Sequence, residues 1–254
     1  MTNLSGKTAL VTGASRGIGR AIARRLASDG ALVGIHYGSN EEAAKAVLAE
    51  IEQAGGHAFK IRAEFGVTGD VDTLFAGLEA SLDGAPLDIL VNNAGILDAS
   101  PLAQVTPEAF DHSYAVNVRA PFFIIQRALP LLPDGGRIIN ISSSVTRIAS
   151  TFFHYTMNKA AIEALGRTLA QALGARGITV NTVTPGVTET DMGAWVQSAP
   201  GLEENIIATI AMGRLGQPAD IADVVAFLAS HDARWVTGVT LDASGGTWLG
   251  PNAG

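Results

Sequence analysis

Short, almost continuously apolar runs recur along the chain, with segments of helical period between them. The runs cover residues 7–12, 31–36, 57–63, 88–92, 137–142, 178–183 and 239–242. Continuous apolarity marks strands buried on both faces, and strands separated by helices close into parallel pairs. Seven of them predict an α/β fold, a doubly wound seven-stranded parallel sheet (a Rossmann fold) with helices on both faces and residues 1–254 forming a single domain. Helix ends are signalled locally. Asn40 stands ahead of Glu41 and Glu42 with Gly55-Gly56 behind, and Thr106-Pro107-Glu108 opens a helix expected over 107–131. One excursion, at about 190–213, separates the sixth strand from a helix near Ala219. In a doubly wound sheet such an excursion lies above the carboxyl ends of the strands, where ligands bind.

Charge narrows the choice of partner. With 24 acidic and 17 basic side chains the net charge is −7, and the cations are scattered, so a nucleic-acid backbone is not an expected partner. No apolar run approaches the ~18 residues that span a bilayer, and residues 1–6 lack the basic-then-apolar pattern of a secretory signal. A cytoplasmic protein with no membrane partner is expected. The absence of cysteine excludes disulfides, thiolate zinc sites and cysteine nucleophiles. Histidines at 36, 57, 112, 154 and 231 have no close ligand spacing, so no metal is expected.

Among the 29 glycines, one group carries chemistry. Thr12-Gly-Ala-Ser-Arg-Gly-Ile-Gly19 follows the first strand directly and opens a helix over 20–28. Gly13 permits a tight turn, Gly17 lets backbone approach a pyrophosphate, and Gly19 lets helix and strand pack closely, so Ser15, Ile18 and their neighbours would cradle a dinucleotide on free helix amides. A site for NAD usually ends its second strand in a carboxylate that holds the ribose 2′-hydroxyl, whereas this one ends His36-Tyr37-Gly38-Ser39-Asn40. No carboxylate there repels a 2′-phosphate, and Arg16, with Ser39 and Asn40, could receive one. NADP is therefore the expected cofactor, with Tyr37 among the strand-end residues near it.

A second constellation lies further on. Tyr155 and Lys159, four residues apart, share one face of a helix running to about Leu173. A phenol titrates near 10, and an adjacent ammonium, helped by the positive oxidised nicotinamide, would favour its ionised form. Pro121 has no N–H, so the helical bond to the carbonyl of Asn117 cannot form and that carbonyl needs another partner.

The Gly-x-x-x-Gly-x-Gly spacing, Asn92-Asn-Ala-Gly95, Ser142-Ser-Ser144, Tyr155-Thr-Met-Asn-Lys159, Pro185-Gly186 and Asp242-Ala-Ser-Gly-Gly246 resemble the short-chain dehydrogenase/reductase family from about residue 5 to 247. The resemblance implies that Tyr155 gives the proton to a carbonyl while hydride leaves the nicotinamide, and that Lys159 also binds the nicotinamide ribose. It implies a serine that hydrogen-bonds the substrate carbonyl; counting thirteen back from Tyr155 gives Ser142, whereas the strand pattern gives Ser143, which is preferred. Asn117 would join a water relay to Lys159. Asn93, Ala94, Gly95, Pro185, Gly186, Thr188 and Thr190 would line the cofactor, with Glu64 and Phe65 at the adenine in place of the aspartate common there. Phe152, Phe153 and His154 ahead of the tyrosine, with Trp195 in the excursion, suggest an apolar, partly aromatic substrate pocket in which Phe153 and Trp195 are the expected contacts and His154 a rim residue. The implied function is an NADP(H)-dependent ketoreductase acting on a small-molecule carbonyl or alcohol, as a homotetramer or homodimer contacting through the helix at 220–230 and the last strand. Two alternatives stand beside it: a 3-oxoacyl-carrier-protein reductase, for which Arg127 and Arg176 could help docking, and a non-catalytic NADP-binding sensor or scaffold.

Overall fold

The computed structural model describes residues 3–249; Met1 and Thr2 of the amino-terminal segment and residues 250–254 lie outside it. In chain order the elements are β1 (Thr8–Val11), α1 (Gly17–Ser28), β2 (Leu32–Tyr37), α2 (Glu41–Gln53), β3 (His57–Arg62), α3 (Asp70–Leu82), β4 (Ile89–Asn92), α4 (Pro107–Tyr114), α5 (Ala120–Ala128), β5 (Arg137–Ile141), α6 (Phe153–Leu173), β6 (Thr179–Pro185), α7 (Leu202–Ile207), α8 (Pro218–Ala229) and β7 (Thr240–Ala243). The sheet order is β3-β2-β1-β4-β5-β6-β7 with every neighbouring pair parallel. The chain winds outward from β1 in one direction and from β4 in the other, which opens a crevice between their carboxyl ends.

Two apolar layers explain why the strands carry so little alternation. On one face Ile22 and Leu26 of α1 pack over β1 and β2 while Val225 and Leu228 of α8 pack over β5 and β6; on the other, Leu74, Leu78, Ile124 and Ile125 of α3 and α5 pack over Leu10, Leu90 and Ile138. Each fully buried side chain of this kind contributes about 1.5–3 kcal/mol. All of β1, β4, β5 and β6 is buried, whereas the edge strand β7 is half-exposed.

The helix expected over 107–131 is divided. α4 ends at Tyr114, residues 115–119 form one wider π turn in which the Ala120 N–H reaches back to the Ala115 carbonyl, and α5 then runs only to Ala128. The missing donor of Pro121 is the local cause, since the ladder re-forms one residue out of step around it. Among the described residues no helix is long and apolar enough to cross a membrane.

Candidate active site

A cleft of about 630 Å³ opens over the carboxyl ends of the strands, between the glycine turn, the ends of β4 to β6 and the 190–213 excursion. Its nucleotide side begins at Gly13, whose φ of +64° favours glycine. A Cβ on Gly19 would stand 2.2 Å from the Gly13 carbonyl oxygen and 2.5 Å from Asn93 Nδ2, so only glycine allows α1 this close to β1. The turn is pinned from two neighbouring strands. Asn93 Nδ2 donates to the carbonyls of Thr12 (2.8 Å) and Gly13 (3.1 Å), and Thr12 Oγ1 accepts from the N–H groups of Asn93 and Ala94, both at 3.0 Å. From β2, His36 Nδ1 accepts from the Gly13 N–H at 2.9 Å, which leaves Nε2 to donate to the Ala63 carbonyl at 2.8 Å. Burial pushes the His36 pKa down to about 4, keeping the ring in the neutral form those two bonds need.

These residues fit a dinucleotide. The first turn of α1 has no acidic residue and no side-chain cap, so its amides stay open to an anion. Ser15, Ser39, Asn40 and Arg16 line the same end. Asn40 already accepts from the Ala43 N–H to cap α2, leaving its NH₂ end for a phosphate. Arg16 pairs at 3.2 Å with Asp191 of the excursion, both side chains being about three-quarters exposed.

Every expected cofactor contact lines this cleft except Tyr37. Successive side chains of a strand point to opposite faces, so with His36 turned to the glycine turn, Tyr37 points into the apolar layer beneath α1 and α2. Phe153 is likewise displaced: it is exposed at the start of α6 and does not line the cleft, whereas Phe152 does. The helical period explains the exchange, since Phe152, three before Tyr155, shares its face and Phe153 does not.

At the chemical end, Tyr155 and Lys159 are both buried side chains of α6. Lys159 Nζ donates to the Ile141 carbonyl at 2.9 Å and lies 5.6 Å from the Tyr155 ring centroid. The Ser143 side chain lines the cleft with the Tyr155 phenol and favours its ionised form. Ser142 is committed elsewhere: its one hydroxyl proton has Glu163 at 2.8 Å and the Lys159 carbonyl at 3.2 Å as alternative acceptors. Of the two candidate serines, Ser143 is the one brought to the tyrosine. Glu163, which the sequence did not single out, also accepts from Thr146 Oγ1 at 2.7 Å and so staples the end of β5 to α6. Its signal was its spacing, one helical turn beyond Lys159.

The expected lowering of the phenol by Lys159 is not what this arrangement gives. Burial pushes Tyr155 up to about 12 and Lys159 down to about 8, because loss of hydration penalises the charged form of each, and the nearby Ser143 side chain offsets only part of this for the phenol. Asn117 sits behind the cleft wall. Its Oδ1 accepts from the Ile96 N–H and its Nδ2 donates to the Ile96 carbonyl, both at 3.0 Å. Nδ2 also donates to Ser113 Oγ, which accepts from Asn158 Nδ2 of α6 as well. A Cβ on Gly95 would stand 2.8 Å from Asn117 Oδ1 and 3.3 Å from Lys159 Nζ, so the two side chains flank one glycine.

Known proteins share this architecture. A family model described as enoyl-(acyl carrier protein) reductase matches residues 13–247. The crystal structure of the angucycline C-6 ketoreductase LanV with bound NADP is 54% identical, with a TM-score of 0.93 and 98% of each chain covered. Hydroxynaphthalene reductase-like protein Arp2 of Metarhizium brunneum is 40% identical over 258 residues, 96% of either chain. The 3-oxoacyl-[acyl-carrier-protein] reductase FabG of Staphylococcus aureus is 38% identical over 246 residues, covering 96% of this chain and 98% of the relative. Agreement over nearly the whole length has one reading: the chain belongs to the short-chain dehydrogenase/reductase family.

Proposed function

We propose that this protein is an NADPH-dependent ketoreductase in which Tyr155 is the proton donor. The observation that carries the reading is the convergence of Ser143, Tyr155 and Lys159 in the cleft that the glycine turn opens. NADPH, when bound, supplies the hydride that reaches the carbonyl carbon. The chain supplies the rest. Ser143 and Tyr155 hold the carbonyl oxygen, and the phenol, neutral well above pH 7, stands ready to give its proton to that oxygen. Reduction therefore begins from the protonation state that burial enforces. Lys159 is charged below about pH 8 and marks where the nicotinamide ribose would sit, and Asn117 and Ser113 continue the polar path behind it. Arg16, Ser39 and Asn40 would receive the 2′-phosphate, a preference in keeping with the NADP bound by LanV.

Likeness to FabG favours the carrier-protein alternative, but the cations it would use for docking are occupied. Arg127 faces Asp72 and Glu79 at 3.8 and 3.7 Å, and Arg176 pairs with Asp134 at 2.9 Å. A small-molecule ketone fits better. Assembly as a homotetramer is supported by Phe227 and Val239, apolar yet 41% and 38% exposed on α8 and beside β7; light scattering showing a monomer would remove that part. The absence of cysteine accords with a reducing cytoplasm.

Tyr155→Phe tests the central claim. Ketone reduction should fall by about 10³-fold, within the range for removing a general acid, while NADPH titrated by fluorescence binds nearly as before. A variant that kept its rate, or a wild-type protein that bound NADPH yet reduced nothing in a broad ketone panel, would leave a nucleotide-binding scaffold instead.

A further inference from the structure

The substrate end of the cleft has an aromatic corner that the proton chemistry does not need. Phe152, at the N-terminal end of α6, meets Trp195 of the 190–213 excursion with ring centroids 5.4 Å apart and planes at 74°. Both rings line the cleft and both are half-buried, so each keeps surface open toward it. At that separation no third ring fits between them. Instead the pair forms an L, one ring offering its face where the other offers its edge, which is the pairing that suits a further aromatic ring laid into the corner.

Each arm of the L is held from behind. Trp195 packs on a small apolar cluster, separate from the main core, that contains Val196, Ile210 and Leu215. Phe152 is fixed through its backbone, which donates to Ser150 Oγ at 3.1 Å and accepts from the Thr156 N–H at 2.8 Å. Its position three residues ahead of Tyr155 sets the distance from corner to phenol. A flexible acyl chain would gain area from such walls whatever their shape, whereas a rigid ring gains an orientation as well.

From this corner we infer that the enzyme selects ketones whose carbonyl belongs to a ring fused to a flat aromatic system, with Phe152 and Trp195 as its specificity-determining residues. The aromatic system stacks in the L while the carbonyl reaches Ser143 and Tyr155. The inference rests on the ketoreductase reading and names the substrate class that the same cleft takes.

Two ketones of matching size separate aromatic recognition from plain burial: 2-tetralone and its saturated counterpart trans-2-decalone. The wild-type enzyme should prefer 2-tetralone in kcat/KM, and Trp195→Leu and Phe152→Leu should each lower that ratio about tenfold, while Trp195→Phe keeps most of it. Calorimetric binding of 2-naphthol in the presence of NADP⁺ gives a readout without turnover and should weaken about tenfold in the same leucine variants. If either leucine variant fails to fold, the other and Trp195→Phe decide the question. A ratio and a 2-naphthol affinity that are unchanged across the variants, or a wild type that favours decalone, overturn the inference. Failure of every ketone to oxidise NADPH would instead strike the ketoreductase reading, and 2-naphthol binding would still decide the corner.

Discussion

The glycine turn and the 190–213 excursion face each other across one cleft and are built in opposite ways. Around the turn, Thr12, His36 and Asn93 bind backbone groups from short distances within buried or half-buried surroundings, and the glycines at 13 and 19 are in contact with backbone. The excursion rests on a cluster of three buried apolar residues, two isolated bridges (Thr188 to Gly216 and Ile210 to Thr247) and the exposed Arg16–Asp191 pair. A dinucleotide presents the same phosphates every time, so its half can be fixed in backbone. A substrate half held by few contacts is one that opens locally at low cost and can be re-shaped without disturbing the sheet.

Matched glycine substitutions break the comparison most sharply. Gly19→Ala puts a methyl 2.2 Å from a carbonyl oxygen that cannot move without unseating the turn, so it should cost about 3 kcal/mol or more and weaken NADPH binding by about a hundredfold. Gly201, ahead of α7 in the excursion, also has a positive φ of +77° but nothing within 4 Å of a new Cβ. Gly201→Ala should cost only the strain of a left-handed alanine, about 1 kcal/mol, with NADPH affinity unaltered. Urea midpoints and fluorescence titration of both variants check this; equal losses would mean that the two halves are one cooperative unit.

His36 allows a finer test on the nucleotide side alone. Its pKa in the folded protein, about 4, lies below the unfolded value near 6.5, so between these limits the unfolded chain binds the extra proton. Stability from this group is therefore complete above about pH 6.5 and is lost as pH falls toward 4, amounting to ~3 kcal/mol in all. His36→Asn, which cannot titrate, should flatten the acid limb of stability against pH relative to the wild type. Unchanged slopes would show that the fold does not hold the His36 ring in its neutral form.

The same contrast governs how far the sequence could be read. The seven strands, the glycine turn, Ser143 and the Tyr155–Lys159 face were legible because each rests on backbone geometry and short spacing. What escaped notice depends on direction and environment. The exchange of Tyr37 for His36, and the choice of Phe152 over its neighbour Phe153 within a pocket the sequence did suggest, are one-residue differences in which way a side chain points. The wide turn at 115–119 required knowing how the ladder closes around Pro121, beyond the loss of one bond. The raised Tyr155 pKa required knowing that the phenol and Lys159 are both buried, since spacing alone displays the attraction and hides the loss of hydration. Glu163 became visible as a staple only when β5 lay beside α6.

The smallest effect on the fold, and the most informative about the boundary between the halves, is expected at Arg16. Its pair with Asp191 is exposed on both sides, so Arg16→Ala should change stability by no more than about 0.5 kcal/mol. Its position in the glycine turn gives it a second possible partner in a 2′-phosphate, a doubly charged group that a planar guanidinium binds more strongly than a lone surface carboxylate. Both partners cannot be served fully at once. Arg16→Ala should therefore raise KM for NADPH about tenfold while leaving that for NADH nearly unchanged. Asp191→Asn, which frees the guanidinium, should shift the NADPH-to-NADH preference the opposite way by a few-fold. Parallel losses for the two cofactors would show that Arg16 serves the turn as a whole; a change confined to NADPH identifies the residue through which phosphate recognition reaches the excursion that carries Trp195.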